Sequence, residues 1–273
     1  MGAALAWIGF WGHTAVGFLY AALAIWVFQQ FGGKSRQQIA LIGALAVTAF
    51  WGIATIMGGP GSLLASSGET LRNMGWLGFL YALMANGEGN SHPRTIKMLY
   101  GALFLALLLQ PLIDFALLMA MPDSVQATAA AAKSVQSLRM IFAIGAIVLV
   151  HNLYTVSAPE ARWGISLPMA ALAATWMYDL NLYTIGYLSG DWPTEFIAMR
   201  GLIMTILVPV FAMATRRNSN WRIRLSRSVT FQSVSLLAIG GYLFGMVLLA
   251  TALQLVGGSY VRMAQITLIF AMS

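Results

Sequence analysis

The chain has 273 residues, 59% of them hydrophobic and only 8% charged, with a net charge of +7. A soluble globular domain carries about 25% charged residues, so this composition excludes a water-facing domain of this size. The sequence has no cysteine, which excludes disulfides, thiolate metal sites and covalent haem attachment.

Apolar blocks recur along the chain, many long enough to cross a hydrocarbon core of about 30 Å, which takes roughly 20 helical residues. The first runs over 7–28, preceded by neither a basic n-region nor a small-residue cleavage site, so no removable signal peptide is expected. The second, 39–57, stops at Gly58-Gly59-Pro60-Gly61. The third, 73–86, is short. Further spans are expected over 98–120, 138–156, 165–188, 196–214 and 229–256. A ninth apolar stretch begins near Val261 and is still apolar at Ser273, which predicts a helix continuing in a longer protein. The blocks are apolar on all faces, unlike the roughly 10-residue alternating segments of a membrane barrel. The expectation is an all-α, polytopic transmembrane bundle of about eight or nine helices, forming one domain over 1–273.

Loop charges predict the orientation. Lys34, Arg36, Arg94, Lys97, Arg162, Arg216, Arg217, Arg222, Arg224 and Arg227 lie in the first, third, fifth and seventh loops, ten of the fifteen basic residues. Arg72, Lys133, Arg139, Arg200 and Arg262 are read on the other side. The positive-inside rule then puts the first loop in the cytoplasm, the N-terminus outside and the C-terminal end toward the cytoplasm. The same rule accounts for the positive charge without a nucleic-acid partner. Trp7, Trp76, Trp163, Trp192 and Trp221 lie near predicted boundaries, as in an interfacial belt.

His13, Asp114, His151 and Asp179 fall inside predicted spans. Charges at that depth cost roughly 2.5–3.5 kcal/mol on the mildest scales and normally face a partner or cavity. At a rise of about 1.5 Å per residue, Asp114 and Asp179 lie roughly 20–25 Å from their cytoplasmic helix ends, and His13 about 9 Å from its outer end. All three belong to the outer half, where they are candidates for one ligand- or proton-sensing cluster. Tyr183 is one turn from Asp179 on the same face, whereas Asn181 points elsewhere. The plainer reading is interhelical hydrogen bonding. His151 and Asn152, toward the other end, have no further ligands at helical spacing, so no metal site is expected.

In the seventh loop, Trp221, Ile223 and Leu225 alternate with Arg222 and Arg224. Such a segment can lie on the bilayer with its arginines, including Arg216, Arg217 and Arg227, toward lipid phosphates, at about 1 kcal/mol each. It either orients the helices or docks a cytoplasmic domain. Gly241 and Gly245 form a small-xxx-small face that predicts close packing, within the bundle or in a homodimer. No Walker motif, HExxH or GxSxG occurs, so no catalytic site is expected in this chain.

Four stretches carry a family resemblance: His151–Gly164 (HNLYTVSAPEARWG), Tyr178–Tyr183 (YDLNLY), Met199–Leu202 (MRGL) and Arg216–Tyr242. Over roughly its last 120 residues the chain resembles the N-terminal membrane region of the PrsK sensor histidine kinases of the PEP-CTERM/exosortase system. The resemblance implies a sensory and anchoring module in a bacterial inner membrane. It also implies a cytoplasmic GAF-like domain, an ATP- and magnesium-dependent kinase core beyond this chain, a response-regulator partner, and control of exopolysaccharide and PEP-CTERM genes. A family phosphoacceptor histidine is usually followed by an acidic residue. Here Thr14, Pro93 and Asn152 follow His13, His92 and His151, so none takes that role. The rival expectation is a small proton- or ion-coupled transporter or channel subunit, with the intramembrane Asp and His residues as its path and the short third span and the Gly-Pro break as signs of discontinuous helices.

Overall fold

A computed structural model of the chain describes residues 2–32, 35–85, 94–120, 125–157, 159–189 and 193–218. These form seven α-helices: α1 (Gly2–Phe31), α2 (Arg36–Gly58), α3 (Leu63–Ala85), α4 (Arg94–Ala120), α5 (Val125–Val156), α6 (Pro159–Ser189) and α7 (Thr194–Arg217). Five helices, α1, α2, α4, α5 and α7, contain stretches long and apolar enough to cross a membrane. The described residues form an all-helical bundle, and the apolar helices mark the chain as a membrane protein. The predicted spans 229–256 and 261 onward, with Gly241 and Gly245, lie outside the described residues.

The third span is corrected. Its helix begins at Leu63, ten residues before the expected start. The link from α2 is a tight turn at Gly59, whose φ of +83° suits a residue without a side chain. Ser62 Oγ then accepts the Ala65 amide at 3.1 Å, satisfying one of the new helix's free donors. The first ten residues of α3 include the polar Ser66, Ser67, Glu69, Thr70 and Arg72, which keep this stretch from standing out by hydropathy. In the fold Glu69, Thr70 and Arg72 are buried. The start of α2 matches a capping box: Ser35 Oγ accepts the Gln38 amide at 3.2 Å, and Gln38 Oε1 accepts the Ser35 amide at 3.1 Å.

Each helix packs on its neighbours in the chain, α1 also meets α7, and α3 touches α5. Short links make successive helices antiparallel. The end of the bundle where α1 begins is the upper end here, and it also holds the last turns of α2, α4 and α6 and the first turns of α3, α5 and α7. Glycines draw α1 tightly against two partners. A Cβ on Gly201 of α7 would stand 2.5 Å from Gly12 C and His13 N. One on Gly52 of α2 would stand 2.8 Å from Gly17 N and His13 O. Only residues without side chains allow such an approach.

Polarity runs from the inside out. Phe18 is 74% exposed and Leu112 60%, whereas Arg72 is 0% and Asp179 1% exposed. Water would reverse that order; a lipid surround favours it. Trp7 and Trp163 are exposed, but Trp76, expected at the interface, is buried and donates Nε1–H to Thr48 Oγ1 at 3.0 Å.

Candidate functional site

Five helices bring an acid–base network together in the upper half of the bundle. Arg200 of α7 is its hub. Its Nη1 and Nη2 grip both oxygens of Glu69 on α3, at 3.1 and 2.6 Å, and its Nε donates to Asp179 Oδ1 on α6 at 2.8 Å. The fork-shaped guanidinium suits such a two-oxygen grip, which a lysine could not reproduce. Arg72 of α3 reaches the other Asp179 oxygen at 2.5 Å and Asn73 Oδ1 at 3.0 Å. Tyr183 of α6 donates its hydroxyl to Glu69 and accepts from Arg200 Nη2 at 2.8 Å.

On the other flank, Arg139 of α5 stands 3.8 Å from Glu69 and donates to Ser66 Oγ at 2.8 Å. Ser66 in turn donates to Asp114 of α4 at 2.6 Å. Three arginines and three carboxylates thus share one cluster. An isolated buried charge would cost several kcal/mol, so mutual neutralisation is what lets these residues sit at this depth.

Trp51 of α2 forms one wall. The guanidinium carbons of Arg72 and Arg200 lie 4.5 and 4.8 Å from its ring centroid, within cation–π range. The His13 ring meets Trp51 edge-on at 5.2 Å. His13 Nδ1 lies 2.8 Å from Gly9 O; a carbonyl only accepts, so Nδ1 carries the proton and donates.

Asp114, Asp179 and Tyr183 therefore belong to one network, with Asp114 joined only through Ser66 and Arg139. His13 hydrogen-bonds none of the carboxylates and touches the network through Trp51. Asn181 is exposed and donates to Met177 O at 2.8 Å. His151 is exposed and Asn152 buried, toward the lower end of α5. Among the described residues, no three His, Asp or Glu side chains are grouped to hold a metal.

Arg72, Arg139 and Arg200, read from sequence as loop charges of one side, are buried in the bundle. Glu69, Ser66 and Trp51 carried no weight in that reading. The sequence did hold a signal for the arginines: buried aspartates require cations, and all three lie within a few residues of the upper ends of expected spans.

Above Trp51 a cavity of about 450 Å³ opens between the start of α1, the end of α2 and the start of α7. Leu5, Phe10, Ile56, Pro60 and Ile197 line it, and His13, Thr55 and Thr194 are the polar side chains of its lining. Thr55 spends its hydroxyl proton on Trp51 O at 2.8 Å. Beneath the network the core turns aromatic: Trp76 stacks on Phe211 at 4.7 Å, and Phe142 meets Trp176 at 6.0 Å.

The lower end is basic. Arg217 lies over Trp163 at 4.3 Å and Arg216 over Trp26 at 5.9 Å. Arg162 donates to the Thr155 and Ser157 carbonyls at 2.7 and 3.0 Å, occupying acceptors that the end of α5 leaves free. Arg222, Arg224 and Arg227 lie outside the described residues.

Comparison of the chain with protein-family models, with curated proteins and with solved structures finds no match in any of the three.

Proposed function

We propose that this chain is the membrane-embedded sensing and anchoring module of a two-component sensor histidine kinase of a bacterial inner membrane. Its upper end faces outward and its lower end the cytoplasm, where it relays a signal to a kinase core and through it to a response regulator. The observation that carries this reading is a charge network confined to one end and closed off from the other by packed aromatics. An ion path would be marked by ionisable groups continuing across the membrane. Below the network the buried polar side chains among the described residues, such as Thr48, Gln110 and Thr175, are uncharged, and Tyr20, Trp76, Phe79, Phe142 and Phe211 fill much of the space. A neutralised cluster beside an open cavity is instead suited to two arrangements that a stimulus biases.

The unbroken run of α3 over 23 residues removes one sign of a transporter, the short third span. Burial of Arg72, Arg139 and Arg200 also strengthens the charge asymmetry. With those three withdrawn from the five upper-side bases, only Lys133 and Arg262 remain there, against ten at the lower side.

Because the chain has no cysteine, single introduced cysteines report topology cleanly. A cysteine at Ala3 should react with an impermeant maleimide in intact cells, and one at Ser35 only after permeabilisation; the reverse pattern overturns the orientation. The polypeptide as its gene encodes it should take phosphate from ATP onto a histidine. Asp179→Asn should change that rate while the protein still inserts, and a gene product without kinase activity overturns the reading.

A further inference from the structure

We infer that the cavity at the upper end of α1, α2 and α7 is a binding site for a straight-chain primary alcohol, taken hydroxyl first from the bilayer. A volume of about 450 Å³ falls within the range of small-molecule sites. Phe10 and Pro60 on its rim are exposed, so the cleft is open to an apolar chain arriving from lipid.

What selects the head group is His13. It is only 3% exposed, yet it lines the cavity. Its Nδ1–H is committed to Gly9 O, and Nε2, the acceptor of that tautomer, has no hydrogen-bond partner among the described residues. Thr55 has already given its proton to Trp51 O. The buried His13 and Thr55 side of the cavity therefore offers acceptors and asks for a donor, which a hydroxyl supplies.

A carboxylate supplies none, and among the described residues it would meet no cation there. None of the described residues lining the cavity is charged, and the Arg72 and Arg200 guanidiniums face Trp51 and their own carboxylates. A plain hydrocarbon fills the space but leaves Nε2 unpaired, at the usual cost of a buried polar group. Occupancy would press on the His13 ring, whose contact with Trp51 leads to both arginines. That the alcohol acts as the signal rests on the sensor reading above; the binding itself does not.

The test uses the whole chain in phosphatidylcholine nanodiscs and three twelve-carbon probes with the same mid-chain diazirine: the alcohol, the acid and the hydrocarbon. The alcohol should label the cavity helices best. His13→Leu should lower alcohol labelling about tenfold, the scale of one buried hydrogen bond, and leave the hydrocarbon unchanged. His13→Gln, which keeps an acceptor, should restore part of it, and Ala6→Phe should lower all three by filling the cleft.

Equal labelling by alcohol and hydrocarbon, preference for the acid, or indifference to Ala6→Phe overturns the proposal. If His13→Leu does not fold, the comparison of probes on the unaltered chain decides alone. Selective alcohol binding with no change in phosphate transfer would leave the site standing and remove the sensing role.

Discussion

Helices α3 and α4 are neighbours of similar length, 23 and 27 residues, and they meet opposite surroundings. α4 turns Met98, Leu112, Phe115 and Leu118 outward. α3 buries Glu69, Thr70, Arg72 and Asn73. In water the second pattern would belong to a surface helix. In a bilayer, desolvation drives the charges inward until they meet partners, and apolar side chains lose nothing by facing lipid. The more apolar helix is therefore the peripheral one, and the helix that scores worst as a span holds the bundle's centre.

The largest effect separating the two helices should come from the hub of the network. Arg200→Leu strips Glu69 of its two-pronged partner and Asp179 of one of its two arginines. Removing one member of a buried charged cluster costs about 3–5 kcal/mol. Leu112→Ala on the outer face of α4 should stay within about 0.5 kcal/mol. Equilibrium unfolding in mixed micelles, read by Trp fluorescence, measures both. Similar losses would erase the distinction between a charged centre and a lipid-facing rim.

Next in size is Gly201→Ala. Its methyl group would meet α1 backbone atoms at 2.5 Å, and backbone cannot swing aside as a flexible side chain does. Separating α7 from α1 should cost about 2–3 kcal/mol, the range of overpacked cores. The crossing lies beside His13, so the same variant should alter the cavity, visible as changed probe labelling in protein that still inserts.

Several features were legible in the sequence, and the difference between α3 and α4 explains which. Spans such as those in α1, α2 and α4 announce themselves by hydropathy, because they are apolar all round. Asp179 and Tyr183 stood out as polar residues one turn apart inside such a run, and both face the network. Glu69 and Arg72 were hidden because a hydropathy reading ends a span where charges begin, and Arg139 and Arg200, just inside the expected spans 138–156 and 196–214, counted there only as charges of one side. Each lies within a few turns of an upper helix end, where a loop is the default assignment. Only pairing across helices identifies them, and pairing is a property of the fold. Trp76 shows the same limit: near a span edge by sequence, it is an interior residue once α3 is seen to start at Leu63. Among the glycines, those at the α1 crossings look like any others in the sequence, since the space a Cβ would fill belongs to another helix.

The smallest effect is also the most discriminating. Among the described residues, no atom beyond its own stretch of α4 lies within 4 Å of where a Cβ on Gly101 would stand, so Gly101→Ala meets no obstacle from them. In a soluble protein this change in a helix interior stabilises by about 0.5–1 kcal/mol, because the unfolded glycine is freer than alanine. In a bilayer the reference state differs. α4 must stay helical after the bundle comes apart, since its backbone groups find no water to bond. The conformational term then cancels between the two states, and the change should fall within about 0.3 kcal/mol of zero in the same micellar unfolding experiment. A gain near 1 kcal/mol would mean that α4 loses its helix on unfolding, and lipid would then no longer explain why the polar helix is central and the apolar one peripheral.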